Sequence, residues 1–290
     1  MKTRKKILLS IISVIVFVAS ICLLLLFENK SIVTTEIDVV SDRLPEAFSG
    51  YRIVQVSDLH NEEFGEDNKR LIEKIKEAEP DIIVMTGDMI DVYEPEVDVA
   101  IDFAENMMKI APTYFVTGNH ESKTVEYHLC LDGYKKAGIT ILDNKKVYVE
   151  KDKEKINLLG IDDQNFFLTY LNGTNEENIT TVLNKMMQGV EGYTILLAHR
   201  PENINIYSSF DIDLVLSGHA HGGQIKLPFA GGLRSPGQGW FPEYYEGLHN
   251  VGDTQMIVSR GLGNSAFPFR FNNRPEIIIV ELKTNENNEF

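Results

Sequence analysis

Hydrophobic residues fall into one long run near the N-terminus and a series of short runs after it. The long run, residues 7–27, has no charged residue and no proline. As a helix it would span roughly 30 Å, the thickness of a bilayer's hydrocarbon core, and buried core helices seldom stay apolar for so long. Four basic residues precede the run and Lys30 follows it. By the positive-inside rule, the pattern predicts a cytoplasmic N-terminus, a membrane anchor over residues 1–30 and an extracytoplasmic body.

A cleaved signal peptide is the alternative interpretation of the same run. Val18-Ala19-Ser20 resembles a small-residue cleavage site. Cleavage there would leave a mature chain that begins with the apolar stretch Ile-Cys-Leu-Leu-Leu-Leu-Phe. The uncleaved anchor is therefore the favoured interpretation.

After residue 31, short β-branched runs alternate with helical patterns. Five runs end in Asp, Asn, His or Gly: 52–57, 81–86, 113–117, 193–198 and 211–217. Other strands are expected over 32–40, 255–259 and 277–282, with a hairpin within 139–162. Apolar residues at helical spacing, each stretch closed by proline or glycine, predict helices over 68–78, 97–110, 126–137 and 176–187. The alternation predicts one α/β domain over residues 31–290.

Residues 222–250 are rich in glycine, proline and aromatic residues and show little periodicity. The segment is expected to be a long functional loop. Its aromatic residues could form an apolar rim for a lipid or aromatic substrate, touch the membrane surface, or cap the core. They are Trp240, Phe241, Tyr244 and Tyr245.

The charge balance excludes one class of partner. The chain carries −15 in total and residues 1–30 carry +4, which leaves −19 for the body. A general nucleic-acid binder needs lysines and arginines to neutralise phosphates, so no nucleic-acid binding is expected. Cys130 is the only cysteine of the body, so no disulfide can form within it.

Polar residues with metal-binding chemistry follow each of the five runs. The sequences are Ser57-Asp58-Leu59-His60, Thr86-Gly87-Asp88-Met89-Ile90-Asp91, Thr117-Gly118-Asn119-His120-Glu121, Leu197-Ala198-His199-Arg200-Pro201 and Ser217-Gly218-His219-Ala220-His221. They contain five of the seven histidines, and only His128 and His249 lie elsewhere. Ligands of open α/β sheets bind beyond the carboxyl ends of the strands, so these side chains are expected to converge at one edge.

This mixture of donor groups indicates a site for divalent metal ions that uses no thiolate ligands. Imidazole, carboxylate and amide groups suit Mn²⁺, Fe²⁺, Co²⁺ or Zn²⁺, and the lack of thiolates argues against a structural zinc site. The candidate ligands outnumber the needs of one ion. Two divalent ions that share a carboxylate would use them all and would generate a bridging hydroxide for attack on phosphorus.

The ordered set Asp-x-His, Gly-Asp-x-x-Asp, Gly-Asn-His-Glu, a lone His and Gly-His-x-His resembles the calcineurin-like metallophosphoesterase superfamily. The phrases GYRIVQVSDLHN, LLAHRPE and SGHAHGGQIKLP are similar to its membrane-associated bacterial phosphodiesterase branch, that of the YkuE and YaeI proteins. The resemblance implies an α/β fold of four layers, in which two mixed β-sheets are flanked by helices.

The resemblance also implies two sets of ligands that share one carboxylate. The first ion would be held by Asp58, His60, Asp88 and His221. The second ion would be held by Asp88, Asn119, His199 and His219.

Other residues near these motifs have expected roles beside the metal ions. His120 resembles the family's histidine that faces substrate, where it would contact phosphoryl oxygens or protonate the leaving group. Asp91 and Glu121 are expected either to orient ligand imidazoles or to form surface salt bridges. Arg234, Arg270 and Arg274 are candidates for clamping a second phosphate or a head group, with solvent exposure as the alternative.

Together these features predict a membrane-anchored, dinuclear-metal phosphoesterase that hydrolyses a phosphodiester, and a lipid-linked phosphoester is one candidate substrate. One alternative is a pyrophosphatase acting on a UDP-2,3-diacylglucosamine-type substrate, which an extracytoplasmic domain would not reach. Another is a metal-binding module that keeps the fold without catalysis, which the complete set of expected ligands makes less favoured.

Overall fold

The structure of the protein is a computed structural model that describes residues 2–168, 171–264 and 267–285. The helices are α1 (Lys2–Lys30), α2 (Lys69–Glu77), α3 (Val97–Met108), α4 (Tyr127–Ala137), α5 (Gln164–Phe167), α6 (Asn175–Met186) and α7 (Ile204–Tyr207). The strands are β1 (Val33–Val40), β2 (Tyr51–Val56), β3 (Ile82–Met85), β4 (Thr113–Phe115), β5 (Thr140–Ile141), β6 (Lys145–Lys151), β7 (Glu154–Ile161), β8 (Thr194–Ala198), β9 (Leu214–Ser217), β10 (Lys226–Leu227), β11 (Gly231–Gly232), β12 (Arg234–Ser235), β13 (Gly239–Trp240), β14 (Gly247–Val251), β15 (Thr254–Val258) and β16 (Glu276–Lys283).

Two six-stranded mixed sheets organise the body. The first has the order β1-β16-β2-β3-β4-β5, and the second has the order β14-β15-β9-β8-β7-β6. Strands β2 to β5 are parallel to one another, as are β7, β8, β9 and β15. The parallel strands therefore end together at one edge of each sheet.

The apolar runs are continuous because the central strands are buried on both faces. In β8, Ile195 and Leu197 point between the two sheets, whereas Leu196 packs beneath α6 and α7. In β3, Ile82 points between the sheets, whereas Ile83 packs against the side of α2, α3 and α4. The molecule thus has the order helices, sheet, sheet, helices, which confirms the four-layer sandwich implied by the resemblance.

The first strand sets where the N-terminal helix joins the body. β1 pairs in parallel with β16, and β16 is antiparallel to β2. The start of β1 therefore lies at the same edge as the carboxyl end of β2.

Over Arg4–Lys30, α1 is long and apolar enough to cross a membrane, and its apolar stretch is not buried against the body. The alternative of a buried core helix is thus wrong.

The predicted elements compare closely with the structure, with two differences. All four predicted helices and the expected strands are present within a few residues of their predicted bounds. Residues 222–250 are not a simple loop, because they contain short paired segments and most of β14. The five strands that precede the polar clusters do not belong to one sheet: β2, β3 and β4 lie in the first, and β8 and β9 in the second.

Candidate metal centre

The ends of the two sheets are joined by buried hydrogen bonds, so the five polar clusters meet. Gln55 of β2 donates through Nε2 to Thr86 Oγ1 (3.0 Å) and to the carbonyl of Ser217 (2.9 Å). Thr86 follows β3 in the first sheet, whereas Ser217 ends β9 in the second. The convergence expected at one sheet edge therefore occurs across two facing edges.

Asp58, His60 and His221 form one group of possible metal ligands. His221 Nε2 lies 3.4 Å from Asp58 Oδ1 and 3.3 Å from His60 Nε2. All three residues are at most 6% exposed. This group contains three of the four ligands of the first expected set.

Asp88, His199 and His219 form a second group beside the first. Asp88 Oδ2 lies 3.2 Å from His199 Nε2 and 3.7 Å from His60 Nε2, which belongs to the first group. His199 Nδ1 lies 2.8 Å from the carbonyl of Thr86, a contact that places the ring proton on Nδ1 and leaves Nε2 as the ligand atom. Asp88 is thus placed between the groups, as expected of a shared carboxylate.

Asn119 completes the second expected set. It is 7% exposed and lines the same cleft as Asp88 and His219. Within the described part of the chain, its Oδ1 has no hydrogen-bond partner. A buried amide oxygen without a partner is costly in a folded protein unless something else coordinates it. A bound cation would supply that coordination.

The backbone at the expected ligands is held in an unusual conformation. Five of the seven have positive φ angles: Asp58, His60, Asp88, His219 and His221. Such angles are uncommon for residues with a Cβ and persist where surrounding contacts enforce them. A Cβ at Gly218 would collide with Ser57 Oγ and Asp58 Oδ2, so only glycine lets the two loops approach.

Burial and neighbouring charges set the protonation of the expected ligands. Burial lowers the pKa of His219 and His221, and nearby positive groups act in the same direction. Burial also opposes charge on His199, but Asp88 raises the pKa of that imidazole to about 10. Burial acts to raise the pKa of Asp88, yet the imidazoles around it, chiefly His199, hold it well below its usual range. Neutral imidazole and ionised carboxylate are the forms that bind metal, so a cation at His199 would displace the Nε2 proton that Asp88 stabilises.

Asp91 and Glu121 have different surroundings. Asp91 Oδ2 lies 3.4 Å from His60 Nδ1, on the far side of the ring from the metal group, as expected of a carboxylate that orients a ligand. Glu121 is 2% exposed, which rules out a surface salt bridge. It accepts backbone N–H groups from Asp88 (2.8 Å), Met89 (2.7 Å) and Gly118 (2.8 Å). The hydrogen bonds of Glu121 therefore join the loop that carries Asp88 to the loop that carries Asn119, and they do not orient an imidazole ring.

His120 borders the cleft and is fixed by its neighbours. Its Nδ1 accepts the backbone N–H of Val92 at 2.9 Å, which leaves the ring proton on Nε2. Burial lowers the pKa of His120 to about 4, so the ring is neutral near pH 7. The ring packs edge-on against His60.

Only one of the three candidate arginines lies at the cleft. Arg234 lines it, with its guanidinium 5.7 Å from the centre of the Trp240 ring. Arg270 is fully buried, so it does not face solvent; it donates to the carbonyls of Arg260 (2.8 Å) and Gly263 (2.6 Å), and its Nη2 lies 3.4 Å from Nδ1 of the expected ligand His221. Arg274 donates to Ser31 and lies over the Phe27 ring of α1. Neither Arg270 nor Arg274 lines the cleft, because long-range contacts hold Arg270 within the body and Arg274 against the end of α1.

The cleft above these residues has a volume of about 400 Å³. Expected ligands and His120 form its polar part, whereas Ile225, Leu233, Trp240 and Phe267 contribute apolar walls. Of the aromatic residues in the long loop, Trp240 and Phe241 are exposed, whereas Tyr244 and Tyr245 pack against the core of the second sheet. Trp240 and Phe241 are therefore available to contact a substrate or a membrane surface, whereas Tyr244 and Tyr245 cap the core.

Sequence reasoning gave no role to Arg200 and Asp163. Asp163 is 3% exposed and accepts hydrogen bonds from Nε and Nη2 of Arg200. Arg200 Nη1 lies 3.3 Å from His219 Nε2, so the pair borders an expected ligand. The position of Arg200 directly after His199 was the signal available in the sequence.

The donors fit divalent metal ions by their chemistry. Two adjacent groups of buried imidazoles and carboxylates, with an uncoordinated amide oxygen beside one of them, suit the borderline divalent ions. The model of the calcineurin-like phosphoesterase family matches residues 51–223, which include all of these ligands. The chain belongs to this family.

Similar proteins of this phosphoesterase family occur in bacteria and animals. The uncharacterised metallophosphoesterase YkuE of Bacillus subtilis is 33% identical over 89% of this chain and 87% of its own length. A transmembrane protein with a metallophosphoesterase domain from Danio rerio is 30% identical over 86% of this chain and 56% of its own length. The phosphodiesterase YaeI of Escherichia coli is 28% identical over 71% of this chain and 72% of its own length. The YkuE and YaeI branch suggested by the sequence phrases is thereby confirmed.

Proposed function

We propose that the protein is a membrane-anchored phosphodiesterase that uses two divalent metal ions. The observation that carries the proposal is the position of Asp88 between two groups of ligands at the cleft. One ion would be held by Asp58, His60, Asp88 and His221, and the other by Asp88, Asn119, His199 and His219. The name of the similar YaeI protein supports a diester as the substrate.

Two ions held in this way supply the acidity that makes water a nucleophile near neutral pH and the positive charge that offsets a phosphoryl group. Mn²⁺, Fe²⁺, Co²⁺ and Zn²⁺ all suit the ligand set. The residues of the chain contribute position. Glu121 fixes the loops that carry Asp88 and Asn119, and Asp91 fixes the ring of His60.

His120 would act as a hydrogen-bond donor to the substrate. Its proton lies on Nε2, because Nδ1 accepts the N–H of Val92, and its lowered pKa keeps the ring neutral. A neutral ring gives up its last proton reluctantly, so the geometry favours contact with a phosphoryl oxygen over protonation of the leaving group.

Location follows from the N-terminal helix. α1 would remain as an uncleaved anchor, with its basic start in the cytoplasm and the phosphodiesterase domain outside. The Danio rerio protein, named as transmembrane, supports membrane association within the family.

The proposal is tested with the full chain in detergent, an aryl phosphodiester and added Mn²⁺. Asp88→Asn keeps the shape of the shared carboxylate and removes its charge, so we expect loss of bound metal and of activity. His120→Ala should retain metal and lose about 10²- to 10⁴-fold in kcat. Metal content is measured by elemental analysis of each purified variant.

The matched control is His128→Ala, because His128 is a histidine outside the metal groups. It should retain both metal and activity. If Asp88→Asn and His120→Ala hydrolyse the diester as fast as the unaltered chain, the proposed site is wrong.

A further inference from the structure

The end of α1 is hydrogen-bonded to a segment that borders the metal cleft. Asn29 Oδ1 accepts from Asn264 Nδ2 (2.8 Å) and from the backbone N–H of Arg270 (3.0 Å). Glu28 accepts the backbone N–H of Asn273 at 3.1 Å. Asn29 is two residues beyond Phe27, the last residue of the apolar run, which is about 3 Å along a helix. The segment around Arg270 therefore lies at the level where a membrane spanned by α1 would meet water.

Three phenylalanines of this segment are exposed. Phe267, Phe269 and Phe271 are 42%, 36% and 41% exposed, whereas Arg270, between the last two, is fully buried. The rings of Phe267 and Phe269 pack together with centres 4.7 Å apart. The buried guanidinium, which donates to two carbonyls, fixes the strip so that its rings stay on the surface.

Backbone hydrogen bonds continue this strip into the loops of the cleft. Lys226 donates its N–H to the carbonyl of Phe271 (3.0 Å), and Phe241 donates to the carbonyl of Leu233 (2.9 Å). Leu233 in turn donates to Ile225, beside Lys226. The loops present three more exposed aromatic rings. We call the six rings the aromatic face: Phe229, Trp240, Phe241, Phe267, Phe269 and Phe271.

The aromatic face and the metal groups are held together by Gln224. This residue follows the turn that carries His219 and His221, and its Nε2 lies 3.1 Å from the carbonyls of both Phe267 and Phe269. Phe267 and Trp240 also line the cleft itself. The cleft thus opens beside the aromatic face.

A set of exposed rings next to a membrane anchor has a physical use. Aromatic side chains are enriched at the membrane–water interface, where the ring is buried and polar groups remain wet. The body carries −19 and gains nothing electrostatically from approaching anionic lipids, so apolar contact would have to hold it there. Arg234, which lies over Trp240 at the cleft, would meet phosphate groups at that level.

We propose that the aromatic face rests in the surface of the bilayer that α1 spans, and that the cleft takes the phosphodiester head group of a lipid whose acyl chains stay in that bilayer. The substrate part of this inference rests on the proposed phosphodiesterase function. The contact with the bilayer stands on the aromatic face and the anchor alone.

The contact is tested without catalysis, because Trp240 is the only tryptophan of the chain and is 66% exposed on the aromatic face. The full chain is reconstituted in phosphatidylcholine vesicles, with and without lipids brominated on the acyl chains near the head group. We expect brominated lipid to quench at least about half of the Trp240 emission, because such quenching needs close contact with an interfacial ring. Emission that does not respond to brominated lipid overturns the contact.

A matched control moves the reporter away from the face. Tyr148 is an exposed ring on β6, the outermost strand of the second sheet. In the double variant Trp240→Phe with Tyr148→Trp, we expect little quenching. Equal quenching of both reporters would show general contact with lipid and would overturn a specific orientation.

The substrate class is tested by comparing phosphatidylglycerol in the same vesicles with a water-soluble aryl phosphodiester. Combined Phe269→Ser and Phe271→Ser changes should lower the ratio of lipid rate to soluble rate at least about tenfold, whereas Tyr148→Ser should leave that ratio unchanged. If brominated lipid quenches Trp240 but only the soluble diester is hydrolysed, the contact with the bilayer stands and the proposed lipid substrate is wrong. Quenching with no hydrolysis of either diester would instead refute the phosphodiesterase function.

Discussion

Asp162 and Asp143 form a pair of carboxyl groups at the junction of the two sheets. Asp162 follows β7 and accepts hydrogen bonds from Thr117 Oγ1 (3.0 Å) and Asn144 Nδ2 (2.8 Å). Burial raises the pKa of Asp162 from 3.8 to about 8, and the negative Asp143 beside it adds to the effect. In the folded protein, Asp162 therefore keeps its proton near neutral pH.

This raised pKa makes stability fall as pH increases. The stabilisation is complete below the unfolded pKa and is lost as pH rises through the folded pKa near 8. At about 1.4 kcal/mol for each pH unit, the unfolding free energy should fall by about 3 kcal/mol between about pH 5.5 and pH 8. For a chain of this size, that loss lowers Tm by about 6 to 12 °C.

Asp162→Asn tests the reasoning because asparagine resembles the protonated acid and does not titrate. Thermal unfolding is followed by circular dichroism in detergent with a chelator, so that metal binding does not contribute. The variant should exceed the Tm of the unaltered chain near pH 5.5, and the difference in Tm should be larger near pH 8. Asp132→Asn, an exposed change on α4, is the control and should melt with the unaltered chain at both pH values. Parallel pH profiles for Asp162→Asn and the unaltered chain would refute a protonated Asp162.

Two further substitutions test contacts at the metal centre. Gly218→Ala would press a Cβ against Ser57 Oγ and Asp58 Oδ2, and we expect calorimetric titration with Mn²⁺ to show about 10- to 100-fold weaker binding. Unchanged binding would contradict a role for this close approach in placing Asp58. Asp163→Asn leaves the guanidinium of Arg200 without its buried partner, so we expect the free energy of unfolding to fall by about 3–5 kcal/mol. Asp211→Asn, at an exposed pair with Arg43, should lower the free energy of unfolding by less than about 1 kcal/mol. Both changes are measured by thermal unfolding. Equal losses for the two aspartates would contradict the importance of burial.

The positions of the candidate ligands were accessible from sequence because each lies within four residues of the end of its strand. A run such as Tyr193 to Ala198 reveals a buried strand, and the next residue, His199, must then lie at its carboxyl end. The pairing of strands was not accessible in this way. Strand β9 pairs with β8 in one sheet, and β4 pairs with β3 in the other. These pairings depend on contacts between separate parts of the chain, which no local pattern records.

Long-range packing also explains the arginines and the missed strand. Arg270 is buried because its neighbours fold back on Asn29 of α1, a partner 241 residues away in the chain. β14 carries a weak apolar pattern and is defined mainly by its pairing with β15. Glu121 looked like a group that contacts an imidazole, yet its partners are backbone amides, which have no signature in sequence.

The left-handed backbone at Asp58, His60, Asp88, His219 and His221 has a consequence for how the centre is assembled. Contacts within the protein, such as those of Glu121 with the backbone N–H groups of Asp88 and Gly118, help to hold these angles. The backbone would thus set the shape of the receptacle for the cations, and the side chains would set its charge. Aspartate and asparagine tolerate this region of backbone space similarly, so exchanging one for the other alters the charge of the receptacle while leaving its shape intact.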